Sequence, residues 1–121
     1  MKKTGFFNAF MAIFVSLIFN ISIACEVGWQ EIEHDSGSFC IEESKQINIK
    51  SHEIYDICES KGARVCSTDQ WVKACQGNQL HTDGWEWSIS LGQYPSITGN
   101  RDCSDLGFGE LSPVANLRCC K

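Results

Sequence analysis

Eight cysteines constrain this chain more than any other feature, because all of them follow residue 24. They are Cys25, Cys40, Cys58, Cys66, Cys75, Cys103, Cys119 and Cys120. An even number of cysteines in an exported chain predicts disulfides rather than free thiols or metal thiolates. We therefore expect four disulfides that stabilise a small hydrophobic core.

The first residues indicate the export that disulfides require. Two lysines precede an apolar run that ends in Ser22-Ile23-Ala24, which is the pattern of a secretory signal peptide, residues 1–24. Cleavage there leaves residues 25–121, predicted to be a single monomeric domain, secreted or periplasmic, with no transmembrane anchor. A lipid anchor on Cys25 is the alternative, and it would leave an odd number of cysteines for pairing.

Net charge limits the class of partner. The chain carries a formal net charge of −5, and it loses two further lysines with the signal peptide. Such an acidic protein is not expected to bind nucleic acid. Several acidic residues group near the start of the domain, and we expect them to form a solvated face, a basic partner being the alternative. They are Glu31, Glu33, Asp35, Glu42 and Glu43.

A first helix is predicted after Ser51, which can serve as its N-cap. Ile54, Ile57 and Cys58 fall at positions i, i+3 and i+4 and should form one buried stripe. Gly62 should end this helix.

A second helix is predicted from the capping box Ser67-Thr68-Asp69-Gln70 to Gly77. Its buried face should carry Trp71, Ala74 and Cys75. Short alternating or apolar stretches around it (GSFCIE, QINIK, WEWSIS, SIT and ANLRCC) predict strands. The fold class is therefore α+β, with two helices packed on short antiparallel strands and many loops.

Geometry excludes two disulfide pairings. Cys66 and Cys75 bracket the second helix and should lie about 12 Å apart, whereas a disulfide needs Cα atoms within about 7 Å. The adjacent pair Cys119-Cys120 points to opposite faces of a strand, so its two members need different partners, one toward the helices and one toward the loop region. Cys25 and Cys40 are expected to close an N-terminal hairpin.

The stretches FCIE, CESKGARVCSTDQWVKACQG, DGWEWS and ANLRCC together resemble the landmarks of sulfatase-modifying-factor domains, the formylglycine-generating enzyme family. Arg64, Thr68, Trp71 and Ala74 match the spacing of that family, and Gln70 replaces its usual glutamate. The chain is also similar to C-type lectin domains at CEVGW, FCI, CESKGA and WEWS. These resemblances imply a C-type-lectin-like fold for residues 25–121.

Departures from both families argue against their activities. The enzymes of the resembling family hold copper with two nearby cysteines after the WEW strand, whereas Cys103 here stands alone until Cys119. The lectin calcium loop is also missing, because the sequence around Pro95 lacks the Glu-Pro-Asn pattern and Asn100-Arg101-Asp102 lacks the tryptophan. We therefore expect no catalytic residue and no cofactor. The alternative is a calcium site at Asp83-Gly84-Trp85, where the sulfatase-modifying-factor resemblance implies a calcium-binding turn.

Binding is predicted in the loop between residues 91 and 110, which mixes aromatic and polar groups on an irregular backbone. Its candidate residues are Tyr94, Asn100, Arg101, Asp102 and Phe108. By contrast, Trp85 and Trp87 should point to one face of a strand and pack in the core, with Glu86 on the other face.

The resulting hypothesis is an exported, non-catalytic binding module for an unidentified protein or glycan ligand. Two alternatives remain open. One is a degenerate copper or thiol oxidase that uses Cys103 with Cys119 or Cys120, which requires free thiols. The other is a secreted effector or adhesin-like structural protein whose disulfides confer only protease resistance and which has no pocket in the 91–110 loop.

Overall fold

The computed structural model of this chain describes residues 25–35, 37–77, 80, 83–90, 94–108 and 114–121. The predicted signal peptide lies outside these ranges. Within them, no helix is long and apolar enough to cross a membrane. All eight cysteines are described and paired, which confirms the four expected disulfides.

Nine short strands and two α-helices make up the described part of the chain, which confirms the α+β class. The strands are β1 Trp29–His34, β2 Gly37–Glu42, β3 Gln46–Lys50, β4 Arg64–Val65, β5 Glu86–Ile89, β6 Pro95–Thr98, β7 Leu106–Phe108, β8 Val114–Leu117 and β9 Cys119–Cys120. The helices are α1 Ile54–Ser60, which follows a 3-10 turn at Ser51–Glu53, and α2 Thr68–Gln76.

The strands form two sheets, with the orders β1-β2-β9-β4 and β3-β8-β5-β6-β7. All pairings are antiparallel except that of β5 with β8, where Glu86 lies opposite Asn116 in a parallel arrangement. The expectation of antiparallel strands was therefore wrong for this pair. The β6–β7 hairpin lies between β5 and β8 in the sequence, and it provides the long crossover connection that parallel neighbours require.

The second helix forms as predicted. Ser67 Oγ accepts a hydrogen bond from the Gln70 N–H at 3.1 Å, and Gln70 Oε1 accepts one from the Ser67 N–H at 2.9 Å. This capping box satisfies backbone donors that the first turn leaves open. Trp71, Ala74 and Cys75 are buried, as the pattern indicated.

The first helix begins two residues later than predicted, with Glu53 instead of Ser51 at the N-cap position. Ser51 lies in the 3-10 turn and does not cap α1. Glu53 Oε1 instead accepts the N–H of Lys50 at 3.2 Å, which stabilises the turn ahead of the helix. The buried positions Ile54 and Cys58 and the turn at Gly62, with a φ of 66°, agree with the prediction.

Two buried clusters form the core. The Trp71 cluster comprises Ile32, Phe39, Ile41, Cys66, Trp71, Ala74, Cys75 and Cys120. The Trp87 cluster comprises Ile54, Cys58, Val65, Trp87, Ile97, Ala115, Leu117 and Cys119. The adjacent Cys119 and Cys120 contribute to different clusters, because successive side chains of β9 point to opposite faces.

The disulfides link Cys25 to Cys40, Cys58 to Cys119, Cys66 to Cys120 and Cys75 to Cys103. The N-terminal hairpin closure and both geometric exclusions are confirmed. The expectation that one member of the Cys119-Cys120 pair would reach the loop region was wrong. Cys119 bonds to Cys58 of α1 and Cys120 bonds to Cys66 directly before α2, because β9 pairs with β4, which lies between the helices in the chain, while α2 reaches the loop region through Cys75.

Candidate functional site

A cleft opens between α1 and the start of α2, with a volume of about 580 Å³. We call it the α1–α2 cleft. Its apolar lining comes from Ala63, Val65, Ile89 and Cys120. Its polar lining comes from Tyr55, Glu59, Arg64, Ser67, Gln70 and Lys121. An apolar surface with a few convergent polar groups is typical of ligand sites of this size.

Disulfides hold both walls of the cleft against β9. Cys58 of α1 is bonded to Cys119, and Cys66, directly before α2, is bonded to Cys120. The capping box fixes the side chain of Gln70 at the start of α2. The walls therefore have defined positions in the folded protein.

Charged groups of both signs surround the cleft. Arg64 and Glu59 are exposed, and neither has an ion-pair partner among the described residues. The ammonium group of Lys121 is bound to Glu26 at 2.8 Å and lies 4.3 Å from the centre of the Trp29 ring. Arg64 is thus the cation that remains available to a ligand in this part of the structure.

A buried ion pair joins Glu86 of β5 to Arg118, the residue between β8 and β9. Glu86 of β5 is fully buried, and its Oε1 accepts hydrogen bonds from Arg118 Nε at 3.0 Å and Trp71 Nε1 at 3.1 Å. Burial raises the pKa of Glu86, and the positive charge of Arg118 partly opposes this rise. The second oxygen, Oε2, has no hydrogen-bond partner in the described part of the chain.

Arg118 also holds the end of β2. Its Nη1 donates to the carbonyl oxygens of Glu42 at 3.2 Å and Glu43 at 2.9 Å. The side chain of Glu42 accepts the Cys119 N–H at 2.7 Å and a bond from Lys61 at 2.8 Å. Glu42 is buried, so the expectation that it belongs to a solvated acidic face was wrong, because this carboxylate binds a strand N–H that would otherwise lack an acceptor.

The predicted loop residues lie in two separate places. Tyr94 precedes β6, and the backbone of Phe108 lies opposite Ser96 at the same end of that strand. Asn100, Arg101 and Asp102 follow the other end of β6, roughly 13 Å away along the strand. The five residues therefore do not form one site.

Local hydrogen bonds order the turn after β6. Asp105 Oδ2 accepts the N–H groups of Arg101 at 2.8 Å and Asp102 at 3.1 Å. The carboxylate of Asp102 accepts the N–H of Ser104, and this bond lowers the pKa of Asp102. These contacts give the turn residues a role in local structure.

The loop region has a smaller concave surface of its own. This second cleft has a volume of about 260 Å³, and its lining comes from Thr68, Ser90, Ser96, Ile97, Leu106 and Gly107. Leu106 is an exposed apolar residue at its edge. The second cleft is less than half the volume of the α1–α2 cleft and carries no charged lining residue.

At the calcium candidate, the carboxylate of Asp83 forms an ion pair with Lys45. The N–H of Gly84 donates to the Asn100 carbonyl at 3.1 Å, and the Trp85 carbonyl accepts the Asn116 N–H at 2.8 Å. The described residues contain no group of three or more histidine, cysteine or acidic residues placed to hold a metal ion.

Disulfide pairing also bears on two alternatives. Cys103 is bonded to Cys75, so the thiols that the oxidase alternative requires are not free in this structure. Cys25 is bonded to Cys40 through the sulfur that lipid attachment would modify.

No local pattern in the sequence indicates the α1–α2 cleft or the Glu86–Arg118 pair. Arg64, Gln70 and Cys120 were each recognised as motif residues, but nothing in their spacing showed that they line one cavity. The burial of Trp85 and Trp87 agrees with the prediction, Trp87 being fully buried and Trp85 partly buried against the Trp87 cluster.

Comparison of the chain with protein-family models, with curated proteins and with solved structures finds no match in any of the three. The resemblance to sulfatase-modifying-factor and C-type lectin domains therefore stays a prediction from sequence motifs. What is established is an α+β fold with two helices, nine described strands in two sheets, and four disulfides.

Proposed function

We propose that this chain is an exported binding module whose ligand occupies the α1–α2 cleft. The observation that carries the proposal is the cleft itself, with about 580 Å³ of space beside an apolar surface, a free guanidinium at Arg64 and an exposed phenol at Tyr55. Small-ligand sites fall in this size range and combine the same kinds of groups. The proposal assigns binding to the cleft and no chemical reaction.

Export and the scaffold are part of the same proposal. The complete pairing of the cysteines favours an oxidising compartment, and the motif resemblance favours a C-type-lectin-like scaffold related to sulfatase-modifying-factor domains. Such scaffolds host many functions, so the ligand has to be inferred from the site.

The test is a binding screen by two-dimensional ¹H–¹⁵N NMR on the oxidised protein, with short peptides and oligosaccharides as probes. We expect the resonances that shift to belong to residues that line the α1–α2 cleft. Two exposed tyrosines provide a matched pair of variants. Tyr55 lines the cleft and is 45% exposed, whereas Tyr94 lies in the originally predicted loop and is 71% exposed.

Tyr55→Ala should weaken binding, and Tyr94→Ala should leave it unchanged. The opposite result would move the site to the loop after β5 and overturn the cleft proposal. If no peptide or oligosaccharide shifts any resonance, the binding function fails and the structural-protein alternative is favoured.

A further inference from the structure

The hydrogen-bond pattern around β4 indicates which side of this strand is unpaired. Lys121 exchanges two backbone hydrogen bonds with Cys40 of β2, at 2.6 and 2.9 Å. In an antiparallel ladder, the backbone groups of successive residues point to alternate sides. The N–H and C=O of Cys120 therefore point the other way, toward its β4 partner Arg64.

The same alternation continues along β4. Because Arg64 pairs with Cys120, the N–H and C=O of the next residue, Val65, point away from β9. The carbonyl of Cys66, the next residue, accepts the N–H of Ile89 in β5 at 2.9 Å. Val65 therefore presents one donor and one acceptor on the outer edge of the sheet.

Residues on either side of Val65 are satisfied within the fold. The N–H of Ala63 donates to the Cys58 carbonyl at 3.0 Å, and the N–H of Ser67 donates to Gln70 Oε1 at 2.9 Å. Between Ala63 and Ser67, β4 is the edge strand of its described sheet, and Val65 lines the α1–α2 cleft. The unpaired edge is thus one residue long and opens into the cleft.

We propose that the ligand of the α1–α2 cleft is an extended peptide segment that adds to this edge of β4. One residue of the peptide exchanges two backbone hydrogen bonds with Val65, as in other cases of strand addition. This inference rests on the proposed binding function and names its ligand class. Buried backbone donors and acceptors are nearly always paired, which gives the peptide backbone a specific complement in the cleft.

Charge and apolar surface indicate the composition of the peptide. Arg64 neighbours Val65 in β4 and has no ion-pair partner among the described residues, whereas Glu59, the other unpaired charge of the lining, lies in α1. An acidic residue adjacent to the one that pairs with Val65 would lie across from Arg64, where opposite charges favour strand pairing. Ala63 and Ile89 offer apolar surface to its neighbours.

The probes for the test are acetylated, amidated pentapeptides of valine and threonine with one variable position that carries glutamate, glutamine or lysine. Binding to the oxidised protein is measured by NMR titration. We expect the glutamate peptides to bind more tightly than the lysine peptides and to shift the Val65 amide resonance. Arg64→Gln should reduce the preference for glutamate about twofold to fivefold, the range of an exposed ion pair.

Backbone methylation of the peptide tests the hydrogen bonds without changing the protein. An N-methyl group on the residue that pairs with Val65 should weaken binding about tenfold, because it leaves the Val65 carbonyl unpaired. Methylation of the next residue, whose N–H points away, is the matched control and should have little effect. Equal effects at both positions would overturn strand addition while leaving a cleft that binds peptides.

Other outcomes separate this inference from the proposed function. If oligosaccharides shift the cleft resonances and no pentapeptide does, the peptide inference fails and the binding function stands. If sedimentation equilibrium shows a concentration-dependent dimer whose Val65 amide is protected from exchange, the edge serves a second copy of this chain, and the peptide inference is also overturned.

Discussion

Gly99 offers a quantitative test of how tightly α2 packs against the second sheet. It follows β6 with a φ of 69°, a left-handed conformation that side chains rarely adopt. A Cβ at this position would lie 1.9 Å from Cη2 and 2.4 Å from Cζ2 of the Trp71 ring. Trp71 is fully buried, and its Nε1 is bound to Glu86, so the ring cannot move aside without losing that bond.

We expect Gly99→Ala to lower the free energy of unfolding by two additive effects. The left-handed backbone costs about 1 to 2 kcal/mol for a residue with a Cβ, and the overlap with Trp71 adds about 1 to 3 kcal/mol of overpacking. The total is about 2 to 5 kcal/mol. For a domain of this size, each kcal/mol corresponds to about 4 to 8 °C in Tm.

Gly62→Ala is the matched control. Its φ is 66°, nearly that of Gly99, and a Cβ there would meet no atom within 4 Å. It should therefore show the backbone effect alone, and any entropy change in the unfolded chain is common to both variants. The measurement is urea unfolding followed by tryptophan fluorescence, with the disulfides intact. Equal losses of stability in the two variants would show that Trp71 does not pack against Gly99 as the structure has it.

Three further predictions concern the core and the disulfides. Glu86→Leu should lower the free energy of unfolding by about 3 to 5 kcal/mol, because it leaves the charge of Arg118 buried without its carboxylate partner. The double variant with Arg118→Met should be no less stable than Glu86→Leu alone, and simple additivity in urea unfolding would contradict the pairing. Burial raises the pKa of Glu86 above its ordinary value of 4.5, so the folded state binds a proton at this carboxylate more readily than the unfolded state does. Protonation of Glu86 therefore contributes to stability below pH 4.5, and this contribution is lost as the pH rises through the raised pKa. The stability of the wild-type protein relative to Glu86→Gln should therefore increase from pH 7 to pH 4 in urea titrations, and a constant difference would refute this assignment. Replacing both Cys75 and Cys103 by serine removes a disulfide with a sequence separation of 28 and should lower the free energy of unfolding by about 3 to 4 kcal/mol in thermal or urea unfolding. A decrease below about 1 kcal/mol would show that the loop region is held by other contacts.

Patterns of residues close together in the sequence predicted the features that such neighbours determine, as at the start of α2. The capping box at Ser67 and Gln70 involves residues three apart, and the structure contains both of its hydrogen bonds. The same reasoning failed at Ser51, because the carboxylate of Glu53 binds the Lys50 N–H and a 3-10 turn forms first. A competing side chain two residues away was enough to shift the start of α1.

Strand alternation gave the correct face for Trp87 but did not reveal the role of Glu86. Alternation places Glu86 on the opposite face of β5, and for a polar residue that face is expected to be solvated. In the structure, β5 is the central strand of its sheet. Trp71 of α2 covers the face of β5 on which Glu86 lies and donates a hydrogen bond to its carboxylate. The partner, Arg118, is 32 residues away in the sequence, so no local pattern indicates the pair.

The cleft could not be predicted because its lining comes from separate elements. Tyr55 lies in α1, Arg64 in β4, Gln70 in α2 and Ile89 at the end of β5. Composition favoured the loop between residues 91 and 110, which is rich in aromatic and polar residues. The structure instead separates those residues to the two ends of β6, because Tyr94 and Phe108 lie at the open end of the β6–β7 hairpin while residues 100–102 lie in its turn.

The short strand β9 connects the disulfide pattern of the sequence to the proposed site. Its two residues bond in opposite directions, Cys119 to α1 and Cys120 to the segment before α2, so the walls of the α1–α2 cleft are covalently fixed to one strand. The same strand pairs with β4 on the side opposite the unpaired edge of Val65. Under the proposed function, an edge that is held in this way would lose little conformational freedom on binding, and such preorganisation would favour affinity for a short peptide. The adjacent cysteines of β9 therefore fix both walls of the α1–α2 cleft beside the unpaired edge at Val65.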